Sequence, residues 1–325
     1  MGPYRRTAVM ILLTLLAGLS GCESPLRLEG VAQRLNEPIR RSDTFQAATS
    51  NGNTIIVVGN QGLVLISNDE GRNWHRSKLP EWPALIDVTA CPDGLIAALA
   101  IKGQVWTSTD NGSQWQPHAI QTEEAVQSIT CDPQNRLWVV GSFSSIFSSG
   151  DRGATWKLNS LDEDLILTNI QFLDMNHAVI SGEFGTLLTS GNGGETWQRM
   201  PQLDDEFYPQ AMLFTDPDNG RVVGLGGVVL HTTDGGHTWS KQQSDTIAPL
   251  FGIERLGDDL YIVGGEGVLL KLSDERWVRV DHGKSIRQYL RAVLAVGSDK
   301  LLVAGQAGAL HLLPAGKLTL TASNN

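Results

Sequence analysis

Apolar residues along this chain come in short runs, each closed by a turn signal, and the runs recur at a constant spacing. The clearest is an apolar stretch entering a glycine turn: V-V-G-N-Q-G-L-V-L from Val57, A-L-A-I-K-G-Q-V-W from Ala98, V-V-G-S-F-S-S-I-F from Val139 and I-S-G-E-F-G-T-L-L from Ile180. It returns as V-G-L-G-G-V-V-L from Val223, V-G-G-E-G-V-L-L from Val263 and V-A-G-Q-A-G-A-L from Val303. The last turn residue falls at Gly62, Gly103, Ser144, Gly185, Gly227, Gly267 and Gly308, in steps of 41, 41, 41, 42, 40 and 41. Runs this short, rich in β-branched residues and bounded by Gly, Asn and Asp, read as strands. In the first repeat they are Phe45 to Thr49, Thr54 to Gly59, Leu63 to Ser67 and Asn73 to Lys78. Four strands in roughly 40 residues make one propeller blade. Seven copies predict an all-β, seven-bladed β-propeller with four antiparallel strands per blade, a ring that protects its sheet edges. The last blade has two ways to finish: with Lys317 to Thr321, or with a strand lent by the lead-in.

A second motif sits between the third and fourth strand of the blades. It reads S-N-D-E-G-R-N-W from Ser67, S-T-D-N-G-S-Q-W from Ser108, S-G-D-R-G-A-T-W from Ser149, S-G-N-G-G-E-T-W from Ser190 and T-T-D-G-G-H-T-W from Thr232. Short polar side chains in such turns bond their own backbone, and glycine admits positive φ. Asp69, Asp110, Asp151, Asn192 and Asp234 are therefore expected to hold the turn. Trp74, Trp115, Trp156, Trp197 and Trp239 pack behind it and explain five of the nine tryptophans. A group repeated in almost every blade is structural, because a ring needs only one active site. The sixth copy, L-S-D-E-R-W from Leu272, is shortened and the seventh has none, as terminal repeats often are.

These turns resemble the Asp-box, or bacterial neuraminidase repeat. With the V-G-x-x-G turns, they make residues 45–321 similar to the photosystem II stability/assembly-factor family of seven-bladed propellers. That resemblance implies a non-catalytic scaffold, without cofactor, that binds a membrane protein during assembly of its complex through a basic patch. Sialidases share the boxes, but their chemistry needs an arginine triad, a Tyr–Glu nucleophile pair and an Asp acid. Of Tyr4, Tyr208, Tyr261 and Tyr289 the first lies in the leader, and no R-I-P signature precedes the first blade. A glycosidase is the least favoured reading, and no catalytic residue is assigned.

The N-terminus carries an address. Arg5 and Arg6 precede an apolar run from Thr7 to about Leu16, too short to span a bilayer, and Leu19-Ser20-Gly21-Cys22 follows. This pattern resembles the bacterial lipobox. Residues 1–21 are expected to be a lipoprotein signal peptide and Cys22 the lipidated residue. Residues 22–43 are a tether and lead-in, 44–325 the propeller. The expected location is the bacterial envelope, facing the periplasm and attached to a membrane through the lipid.

Composition narrows the partners. The net charge of −10 repels a phosphate backbone, so nucleic acid is not expected. The seven His show no metal spacing, there is no CxxC and no phosphate loop, so neither metal nor cofactor is expected. Cys91 and Cys131 occupy equivalent places in neighbouring blades; outside the cytoplasm a disulfide between them is conceivable, but inner strands of adjacent blades rarely come close enough, so two buried free thiols are the favoured expectation. Candidate binding residues lie where the repeats differ, in the central turns and interblade loops, which share the face opposite the boxes. Phe143 and Phe184 stand in adjacent central turns as an aromatic pair. The interblade loops with Glu123-Glu124, Asp162-Glu163-Asp164 and Asp204-Asp205-Glu206-Phe207-Tyr208 are acidic. The approach to the seventh blade is basic, with His282, Lys284, Arg287, Tyr289 and Arg291, near Arg40 and Arg41 of the lead-in. A carbohydrate-binding module is the alternative and predicts exposed Trp. Of Trp82, Trp106, Trp138 and Trp277, only Trp82 lies in an interblade loop.

Overall fold

The computed structural model describes residues 30, 34–203, 207–283 and 286–321. The signal region, Cys22, Asp204 to Glu206 and Lys284 lie outside the described residues. The propeller is one compact unit from Pro38. Seven sheets are arranged around a channel, each beginning with an inner strand: Phe45–Asn51, Leu85–Ala90, Val126–Cys131, Leu167–Phe172, Pro209–Phe214, Leu250–Leu256 and Leu290–Val296. In blade 1 the remaining strands are Thr54–Gly59, Leu63–Ser67 and His75–Lys78, paired antiparallel in sequence order. The second strand of this blade is buried at every position and the outer strand is largely open. This burial gradient explains why the second and third strands read as continuous apolar runs. They are covered on both faces by neighbouring blades, and Ile56, Val58, Val64 and Ile66 of blade 1 pack with Leu85, Val88, Ile96 and Ala98 of blade 2.

The boxes fasten one blade to the one before. In the first, Ser67 Oγ donates to Asp69 Oδ1 at 2.8 Å, and the Gly71 and Asn73 N–H groups donate to Ser67 Oγ and Asp69 Oδ1, each at 2.8 Å. The hydrogen bond from the Asn73 N–H is the largest influence holding Asp69 down at about 2. Asp151 and Asp234 are held at about 2 first by Thr155 and Thr238, and Asp110 is lowered chiefly by the Gln114 N–H. Asn192 makes the same bonds with its amide oxygen, to the Thr196 N–H at 3.0 Å and from Ser190 at 2.9 Å. Trp115, Trp156 and Trp239 donate their indole N–H to the box carbonyl three residues earlier. The box glycine is where blades touch: at Gly194 (φ +85°) an added Cβ would stand 2.5 Å from Cη2 of Trp138 in blade 3. Asp69, Asp110, Asp151 and Asp234 each accept hydrogen bonds from their own turn.

Blades 6 and 7 depart from the pattern. The shortened sixth box is a two-residue turn, Asp274 (φ 48°) and Glu275 (φ 63°), and Trp277 behind it is fully buried. Its indole N–H and the Arg221 Nε–H both donate to Gln242 Oε1, at 2.9 and 3.2 Å, while Gln242 Nε2 donates to Glu275 Oε2 at 2.8 Å. Where the box is lost, this buried network and a parallel pairing of Gln243–Ser244 with Arg276–Trp277 join blades 5 and 6 directly. Blade 7 has three strands, ending at Leu310–Pro314. The segment Thr319–Leu320 pairs with Val280 and Asp281 of blade 6 and so does not complete the seventh blade, and among the described residues no lead-in strand does. The ring closes by packing: Phe45, Ile55, Val57 and Leu65 of blade 1 bury against Ala292, Val296, Leu302 and Leu310 of blade 7. The lead-in is pinned there. Arg76 clamps buried Asp43 with two bonds at 2.7 and 2.8 Å, and Gly308 of blade 7 donates to the Asp43 carbonyl at 2.9 Å.

Cys91 and Cys131 form a disulfide, with Cα atoms 5.2 Å apart, and this corrects the expectation of two free thiols. Inner strands converge on the axis and approach each other more closely than any other strands of adjacent blades. The same proximity lets Asp87 in blade 2 accept from Ser128 Oγ and the Ile129 N–H of blade 3 at 2.8 and 2.9 Å.

Candidate functional site

Every inner strand carries a bulge at the same place. The pairing skips Gln46, Ile86, Gln127, Thr168, Gln210, Phe251 and Arg291 in blades 1 to 7 in turn. A bulge re-aims the extra residue, and all seven line one cavity of about 380 Å³ at the ring axis. Between alanines and other apolar residues the wall carries amide and hydroxyl groups, with Ser128, Asn169 and Tyr208 joining those of the bulges. The residue after the bulge ties neighbouring strands together. Asp87 bonds blade 3, and Asn169 donates to the Gln210 carbonyl at 3.1 Å.

Arg291 is the cation of this wall. Its guanidinium carbon lies 5.8 Å from the Phe251 ring centre, and Phe251 meets Tyr289 edge-on with centroids 6.0 Å apart. Solvent reaches Arg291 through the channel, yet protein encloses it on the other sides. Burial draws its pKa below the ordinary value, and the charge of Asp87 opposes that shift. Burial raises Asp87, against three hydrogen bonds that favour its ionised form. The arrangement offers one buffered positive charge beside two aromatic rings and amide groups, which suits an acidic or polar polypeptide segment. Among the described residues, no group of three or more His, Cys, Asp or Glu is placed to hold a metal ion.

The structure brings together Tyr289 and Arg291. Arg287 is exposed on the approach to the same blade. Phe143 and Phe184 are not part of the channel wall; they stand 53% and 54% exposed in the central turns of blades 3 and 4. Central turns and interblade loops do share one face: the Gly62 N–H donates to the Pro83 carbonyl at 2.6 Å, and the Ser144 N–H to the Leu165 carbonyl at 2.8 Å. Trp106, Trp138 and Trp277 are buried, which leaves Trp82 as the exposed tryptophan outside the boxes and disfavours the carbohydrate reading. The bulge ring and the Phe251–Arg291 contact were missed in the sequence. Aligning the repeats to one another would have exposed them, because each bulge residue directly follows the first apolar anchor of its blade, as Gln46 follows Phe45 and Arg291 follows Leu290.

Comparison with known proteins places these features. Residues 150–251 match the family described as photosynthesis system II assembly factor YCF48. No curated protein matches the chain at the sequence level. YCF48 from Cyanidioschyzon merolae superposes with a TM-score of 0.70 at 17% identity, over 86% of this chain and 97% of that one. YCF48 bound to D1 peptide gives 0.68 at 15% identity, covering 86% and 93%. Virginiamycin B lyase from Staphylococcus aureus gives 0.73 at 13% identity, covering 85% and 96%, so enzymes also use this fold. The chain therefore shares the β-propeller fold of these structures, and its residues 150–251 match the photosystem II assembly factor family.

Proposed function

We propose that the chain is a non-catalytic scaffold that holds a segment of a membrane protein at its channel mouth while that protein's complex is assembled. The observation that carries this reading is the bulge ring. Its seven re-aimed side chains are three amides, a threonine hydroxyl, an isoleucine, a phenylalanine and an arginine, a mixed polar and apolar surface suited to polypeptide. Arg291, Arg287 and Tyr289 are the residues assigned to contact the partner, with Lys284 added from the sequence. A propeller of the same fold has been crystallised or otherwise solved with a D1 peptide, which supports peptide capture by this architecture. The fold is also that of lyases, so turnover by the purified chain is tested beside binding.

The proposed location is the periplasmic side of a bacterial membrane, with the lipid on Cys22 as anchor. The Cys91–Cys131 disulfide supports export, since cytosolic thiols are kept reduced. The test is crosslinking of the anchored chain in intact membranes, followed by pull-down, with an R287E/R291E variant as control. One membrane protein complex, recovered with the native chain and lost with the variant, is the expected result. A partner retained by the variant, or turnover of a small substrate by the purified chain, defeats the reading.

A further inference from the structure

The face that carries the channel mouth has a second, chemically opposite half. In blades 3 and 4 the first left-handed position of the central turn is held by phenylalanine: Phe143 at φ 51° and Phe184 at φ 53°. The matching positions in the blades that use the same turn are Gln61, Gly226, Glu266 and Ala307. A bulky side chain is disfavoured there, and both rings nevertheless stand more than half exposed. Each turn is tied to the strand or loop beside it: Ser160 Oγ donates to the Phe143 carbonyl at 3.0 Å, and Gln202 Nε2 to the Phe184 carbonyl at 2.6 Å. Ile101 and Leu225 continue the apolar turn residues into blades 2 and 5.

Carboxylates frame the pair. Glu124 accepts from Ser142 Oγ at 3.0 Å, beside Phe143. Glu183, the neighbour of Phe184, accepts the Ile166 N–H at 2.9 Å. The loop of Asp162, Glu163 and Asp164 lies against the Phe143 turn, with the Glu163 N–H donating to Ser144 Oγ at 3.1 Å. Arg199 pairs with Glu163 and is the cation found bonded to this group. Apolar turn residues and acidic loops thus occur on the same blades, away from Arg287 and Arg291.

We propose that the Phe143–Phe184 turns and their acidic frame are a docking surface for a protein segment whose aromatic or branched aliphatic side chains are flanked by Lys or Arg. Exposed aromatics supply anchors and the carboxylates select the charge. This does not rest on the Arg291 reading, and the two surfaces would let one ring hold two different polypeptides.

The test uses a double variant, F143G/F184G. Glycine occupies the same position in blade 5, so the variant should melt at the same or a higher temperature than the native chain. A phage library of random peptides of about 12 residues is panned on the mature chain and depleted on the variant, because two anchors need only a short segment. The surviving peptides are expected to combine apolar residues with Lys or Arg. Synthesised, they should bind the variant roughly 100-fold more weakly, about tenfold for each anchor, and weaken further in high salt. Recovery of no peptides, of acidic peptides, or of peptides that bind the variant equally well overturns the proposal. A lowered melting temperature would overturn it by making the rings structural. Co-flotation of the native chain with phosphatidylcholine vesicles, lost in the variant, would overturn it in favour of a lipid surface.

Discussion

Removing the disulfide gives the sharpest test of how the ring is held. Cys91 and Cys131 are 40 residues apart and join the inner strands of blades 2 and 3 at the end nearest the boxes. Closing a loop of that length removes chain entropy from the unfolded state worth about 4 kcal/mol at 25 °C. Because Cys91 is buried, alanine is the better replacement, adding no unsatisfied hydroxyl. A C91A/C131A variant should therefore lose about 2 to 4 kcal/mol, read by tryptophan fluorescence as a lower urea midpoint with a slope that rises as the unfolded chain expands. At roughly 2 °C per kcal/mol for a ring of this size, melting should fall by about 4 to 8 °C. The native chain should show the same loss on reduction, while the double variant is indifferent to reductant. Peptide binding on the opposite face should be unchanged. A loss below about 1 kcal/mol, or two reactive thiols in the denatured unreduced chain, would refute the reasoning.

Three further outcomes follow from the packing. Because folding depresses Asp69, Asp151 and Asp234 to about 2, their stabilisation is fully present above the ordinary carboxylate range near 4 and is lost as pH falls toward 2. D151N should keep the turn at neutral pH, as Asn192 does, and flatten the acid limb of a melting-temperature profile. Gly194→Ala forces a Cβ into the Trp138 ring at a positive φ and should cost about 2 to 3 kcal/mol in denaturant unfolding. Arg76→Ala strands the buried Asp43 carboxylate and should cost about 3 kcal/mol, with earlier proteolysis of the lead-in as a second readout.

The sequence alone determined the number of blades, the order of strands in each and the role of the boxes. These depend on local chemistry repeated at a constant period: an apolar run, a turn residue, and an aspartate that bonds within a few residues of itself. It also told which loops share a face, because strand alternation decides that. Tertiary structure decided what depends on neighbours far along the chain. The disulfide required knowing how closely inner strands converge. The ending of blade 7 at its third strand and the pairing of Thr319–Leu320 with blade 6 depend on where the ring places strand edges far apart in sequence. Gln46, Phe251 and Arg291 face one cavity only because seven bulges turn them inward together. A bulge is a mismatch between two strands, so it belongs to a pairing and leaves no mark on either strand read alone.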